Sequence, residues 1–143
     1  MQDLQQFLMP KSERSQIQPP ERRSPCPLAC GLDLFGDRWT LLVIRELFFG
    51  KARFKEFLAS PEGIPTNILS DRLERLLERG LAIKVADAAG SKHLAYQLTP
   101  KGKSLGPVLA ALRDWGLAWE KGTMDLYTAS KAQQGSSPTH SRM

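Results

Sequence analysis

The feature that most constrains this chain is a change of hydrophobic period at Gly80. In the stretch PTNILSDRLERLLERG, residues 65–80, Leu69, Leu73, Leu76 and Leu77 recur at i, i+4, i+7 and i+8, which makes one face of an α-helix. The other face carries Asn67, Ser70, Asp71, Glu74 and Glu78, with Arg75 at its edge. Beyond Gly80 the period drops to two: Leu81, Ile83 and Val85 alternate, Asp87 to Ser91 form a loop, and Leu94, Tyr96 and Leu98 alternate again. A helix stopped by glycine and followed at once by a hairpin leaves few architectures for 143 residues, a length that holds one domain's core.

Three shorter helices are expected upstream and one long one downstream. Pro27 suits the first turn of a helix through Phe35, with Leu28, Leu32 and Phe35 at helical spacing and Gly36 as its stop. Asp37 is read as the N-cap of a second helix running to Gly50, whose apolar residues from Trp39 to Phe48 cover most of its circumference and predict a buried centre. A third helix spans Arg53 to Ser60 with Phe54, Phe57 and Leu58 inward, and Pro61, Glu62 and Gly63 break it. Thr99 caps a last helix from Pro100, whose stripe includes Leu105, Val108, Leu109, Leu112, Trp115 and Trp119 and which is expected to kink at Pro107. One domain cannot easily bury both terminal helices alone. The flanks are rich in Gln, Ser and Pro, so residues 1–24 are read as a mobile tail, 25–120 as the domain, and 121–143 as a mostly flexible tail.

Composition removes several function classes. Hydrophobic residues make up 41% and no run approaches the roughly 18 apolar residues of a membrane span. The first residues lack a secretory pattern, so a cytoplasmic address is expected. Two cysteines, Cys26 and Cys30, with His93 and His140, fall short of a structural zinc set, and no cofactor motif is present. The chain has no glycine-rich phosphate loop, nucleophile elbow or close histidine pair, which argues against an enzyme. A net charge of +5 suits a polyanionic partner without requiring one.

The order short helix, tight turn, polar-faced helix and hairpin is that of a winged helix-turn-helix, a mainly α fold with a small β-hairpin. A helix fits the major groove, short polar side chains near its N-terminus reach base edges, and a basic hairpin tip reaches phosphates. Three segments, CPLACGLDLFGDRWTLLVIRELFFGKARFKEF, GIPTNILSDRLERLLERGLA and YQLTPKGKSLGPVLAALRDWG, resemble the HxlR-type winged-helix regulators of bacteria over about residues 25–117. The most specific parts are Cys-Pro at 26–27, Gly-Asp-Arg-Trp at 36–39, Arg-Phe at 53–54, Leu-Ser-Asp-Arg-Leu at 69–73 and Tyr-x-Leu-Thr-x-x-Gly at 96–102. The resemblance implies a homodimeric, sequence-specific binder of double-stranded DNA. In it the first and last helices pair the subunits, and the helix from about 65 to 79 is the recognition helix.

Thr66, Asn67 and Ser70 are the candidate base-reading group, although members of the family often open this helix with Ser where this chain has Pro65. Either Pro65 is the first helical residue or Thr66 is the cap, and the choice rotates the face presented to DNA. Arg72 and Arg75 are candidate phosphate contacts or intramolecular ion-pair partners. Asp71 would repel phosphate, so an arginine of the same chain is its default partner. Lys51, Arg53 and Lys55 at the start of the preceding helix, and Lys92 and His93 on the hairpin, complete the DNA-facing set. Cys26, just before Pro27, is expected at a helix N-cap, where the macrodipole favours a thiolate, and is a candidate redox sensor. Its bland alternative is a small apolar residue at the dimer interface. The tryptophans are read as core and dimer interface, with a small-molecule pocket between the terminal helices and the domain as the alternative. The expected function is a repressor on an inverted-repeat operator, responsive to an oxidant or small molecule. The rival is a winged-helix module that binds protein instead of DNA.

Overall fold

The computed structural model describes residues 22–87 and 92–126. The expected tails, apart from residues 22–24 and 121–126, and the loop residues 88–91 lie outside them. The chain divides into two compact units, Met1–Asp37 and Arg38–Met143.

In the first unit, helix α1 spans Pro27–Phe35. Cys26 is its N-cap residue, in extended conformation, and Pro27 opens the first turn. The Cys26 N–H donates to Ser24 Oγ at 3.1 Å, and Cys30 Sγ donates to the Ser24 carbonyl at 3.3 Å. Gly36 ends the helix by donating its N–H to Leu32 O at 2.7 Å. No residue of α1 is buried, and Leu28 and Leu32 are largely exposed.

The second unit runs α2 (Thr40–Phe48), α3 (Phe54–Leu58), α4 (Thr66–Glu78), β1 (Ala82–Ala86), β2 (Leu94–Leu98), α5 (Pro100–Lys103) and α6 (Gly106–Trp119). Its core joins Val43, Ile44 and Leu47 of α2 to Phe57 of α3, Ile64 of the turn, Leu69, Leu73 and Leu76 of α4, and Leu81, Ala82 and Ala95 of the hairpin. Helix α2 packs against both α4 and β2, as its apolar circumference requires. The strands are antiparallel, with Ala82 opposite Leu98 and Ala86 opposite Leu94.

Three expectations need correction, and the ribbon adds a detail of its own. Helix α2 begins later than Asp37: its N-cap is Trp39, and Arg38 lies over the Trp39 ring at 5.0 Å. The last helix is not one kinked rod. Thr99 caps α5 by accepting from the Gly102 N–H at 3.2 Å, and the chain then restarts as α6 with Pro107 in its first turn, where a missing N–H costs nothing. Within the ribbon, register puts Ile83 and Val85 on the opposite face from Leu94, Tyr96 and Leu98, and the buried positions are Ala82 and Ala95. Ile83 and Leu94 point outward at about half exposure because a two-stranded ribbon has only its inner edge against α2 and α4. Finally, Trp115 and Trp119 are surface residues, 57% and 74% exposed, and not core.

Candidate nucleic-acid interface

Two polar devices set the position of α4. The first is a carboxylate cluster. Arg45 of α2 donates from Nη1 and Nη2 to the two oxygens of Glu62, each at 2.7 Å, and from Nη2 to Glu46 Oε1 at 2.7 Å. Lys51 Nζ reaches the other Glu46 oxygen at 2.5 Å, so the buried carboxylate of Glu46 is met by a cation on each side. Glu62 lies in the turn just before α4, and Gly63 beside it takes φ +66, which L side chains rarely adopt. The Arg45 guanidinium therefore fixes the α3–α4 turn to α2 by a bidentate fork. Its hydrogen bonds hold the Glu62 carboxyl below the usual carboxylate value, against the opposing effect of partial burial.

The second device holds the hairpin. The Tyr96 N–H donates to Ala52 O at 2.8 Å, the Arg53 guanidinium pairs with Asp87, and Asp87 N–H donates to His93 O at 3.0 Å. Arg53 thus joins the start of α3 to the loop end of the wing. It is bound up in wing geometry as well as being surface-exposed.

Helix α4 begins at Thr66, and Pro65 occupies the N-cap position in extended conformation. Neither expected cap applies: Pro65 precedes the helix and Thr66 is its first residue, because proline's φ near −65° accommodates the extended approach as readily as the first turn. Thr66, Asn67 and Ser70 all lie exposed on the N-terminal turns and make no side-chain hydrogen bond among the described residues. Arg72 is mostly buried and pairs with Asp71, while Arg75 is half-buried and also engaged within the fold. Lys55, Lys92 and His93 are exposed. Lys51 is committed to Glu46. The structure thus leaves exposed an uncharged polar helix tip, Lys55 and the two wing residues Lys92 and His93. The Arg45–Glu62 fork was missed from sequence, since a lone Arg on α2 and a Glu in a turn carry no spacing signal across 17 positions.

A short helix and α4 joined by a tight turn, with a hairpin behind them, define a winged helix-turn-helix protein. The chain belongs to the HxlR-like helix-turn-helix family, whose model matches residues 34–124. It is 44% identical over 85 residues to an uncharacterised HTH-type transcriptional regulator of Mycobacterium tuberculosis, covering 59% of this chain and 53% of that protein. The chain spans about half the length of the curated relatives it matches first. Among solved structures, the transcription factor PA1607 superposes with a TM-score of 0.66 at 39% identity, covering 73% of each chain. The redox regulator HypR in its reduced form gives 0.59 at 26% identity, covering 65% of this chain and 92% of that one. Among the described residues, no helix is long and apolar enough to cross a membrane, and no cluster of three or more His, Cys, Asp or Glu is placed to hold a metal.

Proposed function

We propose that this chain is a cytoplasmic, sequence-specific binder of double-stranded DNA that acts as a homodimeric repressor on an inverted-repeat operator, and not as an enzyme. The observation that carries this reading is the exposed, uncommitted tip of α4, Thr66, Asn67 and Ser70, in a unit that also exposes the cations Lys55 and Lys92. Short uncharged polar side chains there suit base edges, and flanking lysines suit phosphates. Asp71, Glu74 and Glu78 continue the same outward face, so only the N-terminal turns of α4 enter the groove. Two such helices related by a twofold axis read half-sites about 34 Å apart.

Dimerisation runs through the unburied apolar residues of α1 and α6, including Leu28, Leu112, Trp115 and Trp119. Cys26 is the thiol through which oxidants act. It is exposed, unpaired to Cys30, and placed at the α1 N-cap, and the related HypR is a redox regulator.

The test is binding of the protein to DNA from its own upstream region and to sites selected from random sequence, across a salt series. Asn67→Ala and Ser70→Ala should each weaken selected-site binding by about 1–3 kcal/mol and leave random-sequence binding unchanged. Equal losses on both would remove these residues from base reading. Absence of any selected site would favour the rival reading, a protein-binding winged helix, which the carboxylates of α4 suit. Diamide should release specific DNA from the wild type and not from Cys26→Ser.

A further inference from the structure

Helix α6 presents two apolar faces with different surroundings. Val108, Leu112, Trp115 and Trp119, at i, i+4, i+7 and i+11, form an open stripe. Gly106, Leu109, Ala110 and Arg113, at i, i+3, i+4 and i+7, line a hollow of about 530 Å³ together with Leu112 at the edge of the stripe. Leu41, Leu42, Phe48 and Phe49 wall it from the α2 side, and Met124 and Leu126 from the chain beyond α6. The hollow has the size and apolar lining of a small-molecule site. Leu112 of the open stripe also reaches its wall, so the hollow and the stripe share that one side chain.

Its charged residues say what class of molecule it takes. Four ionisable side chains line it: Arg45, Glu62, Arg113 and Asp125. Arg45 is forked onto Glu62 and Glu46. Arg113 Nε donates to Asp114 at 3.0 Å, and its Nη1 stands 3.7 Å from Asp125. Every cation on the wall therefore has a carboxylate, and every carboxylate a cation. An ion entering the hollow would lose its hydration without gaining a counter-charge, whereas an apolar uncharged molecule would lose little.

We propose that the hollow between α2 and α6 binds an uncharged, largely apolar molecule of about two fused rings and discriminates against anions and cations of the same shape. The site is defined by these walls alone and stands independently of the DNA reading. Three naphthalene probes test it on the full-length chain by calorimetry: 2-naphthamide, 2-naphthoate and protonated 2-naphthylmethylamine. The amide should bind saturably and at least about tenfold more tightly than either ion. Ala110→Trp, which fills the hollow from α6, should abolish amide binding. Met124→Trp, on the exposed rim, should do the same with less demand on the core, so that misfolding of the first variant leaves the test intact. Asp125→Asn should raise naphthoate affinity relative to the amide by relaxing the compensation of Arg113. Equal binding of all three probes, no saturation below about 1 mM, or amide binding that survives both fillings would overturn the proposal. Release of the amide as protein concentration rises would overturn it too, by giving the hollow to a second copy.

Discussion

Gly102 lies so close to Leu81 that a Cβ added to it would stand 2.1 Å from the Leu81 carbonyl oxygen and 2.9 Å from a Leu98 methyl. The contact closes a knot at the base of the wing. Thr99 N–H donates to that same Leu81 oxygen at 3.0 Å, and Thr99 Oγ1 donates to Gly80 O at 2.5 Å while accepting from Gly102. The Tyr-x-Leu-Thr-x-x-Gly pattern is thereby explained as packing, with Thr as cap and Gly as the one residue that fits. Because the clash is with backbone and not with a flexible side chain, Gly102→Ala should cost about 2–3 kcal/mol. Urea unfolding should show a lower midpoint at unchanged m-value, and an unchanged midpoint would mean that β1 and α5 separate without cost.

The Arg45–Glu62 fork predicts an acid-sensitive turn. Glu62 has a folded-state value lowered from 4.5, chiefly by its hydrogen bonds from Arg45. A group whose carboxylate is favoured in the folded state contributes stability above its unfolded value, and that contribution is lost as pH falls through the lower folded value. The melting-temperature advantage of wild type over Glu62→Gln should therefore hold at neutral pH and shrink below about pH 4.5. A difference that stays constant down to pH 3 would show that the fork acts by shape and not by charge. The effect is modest because the carboxylate is about one-third exposed.

How far these features were readable from the chain depends on whether their partners are near in sequence. Helix α4 and the strands were legible because Leu69, Leu73 and Leu76 repeat at helical spacing and the period changes at a glycine that takes φ +70. The N-cap of Cys26 and the cap of Thr99 were legible from the prolines that follow them. Which ribbon residues are buried was not, because alternation marks a strand without saying what packs against it, and the buried pair, Ala82 and Ala95, are small residues on opposite faces. The break before α6 was mistaken for a kink since Pro107 suits both. Arg53 was legible as a candidate backbone contact, while its ion pair with Asp87, 34 positions away, left no mark in the sequence. Thr66, Asn67 and Ser70 were legible as an exposed polar group, but their placement about α4 awaited the Pro65 conformation.

Self-association should depend on the outward stripe of α6. Leu112, Trp115 and Trp119 are each more than half exposed, an arrangement that a lone domain in water does not favour. Trp115→Arg should weaken the dimer by more than about 2 kcal/mol, as expected when a buried interface aromatic is lost. Sedimentation equilibrium would measure it, with Arg113→Gln on the other face of the helix as a control that leaves assembly unchanged. Wild-type protein that remains monomeric at high concentration would refute this interface.

The wing offers the sharpest separation of geometry from charge. Lys92 is exposed in the hairpin loop, and Asp87 at the first position of that loop holds Arg53. If Lys92 meets a phosphate, Lys92→Ala should weaken binding to all DNA and lower the steepness of the salt dependence by about one unit, because one fewer counterion is released. Asp87→Asn removes a negative charge and the ion pair together. Were Arg53 only a phosphate ligand, this change would strengthen binding and steepen the salt dependence. Since Arg53 also ties the wing to α3, the released hairpin should lose its position, and specific binding should fall even though the protein has become more basic. Measuring both variants on a selected site and on random DNA distinguishes the cases. A gain in affinity for Asp87→Asn on both DNAs would return Arg53 to the phosphate-binding set, whereas a loss confined to the selected site would place it among the residues that hold the wing in register with α4.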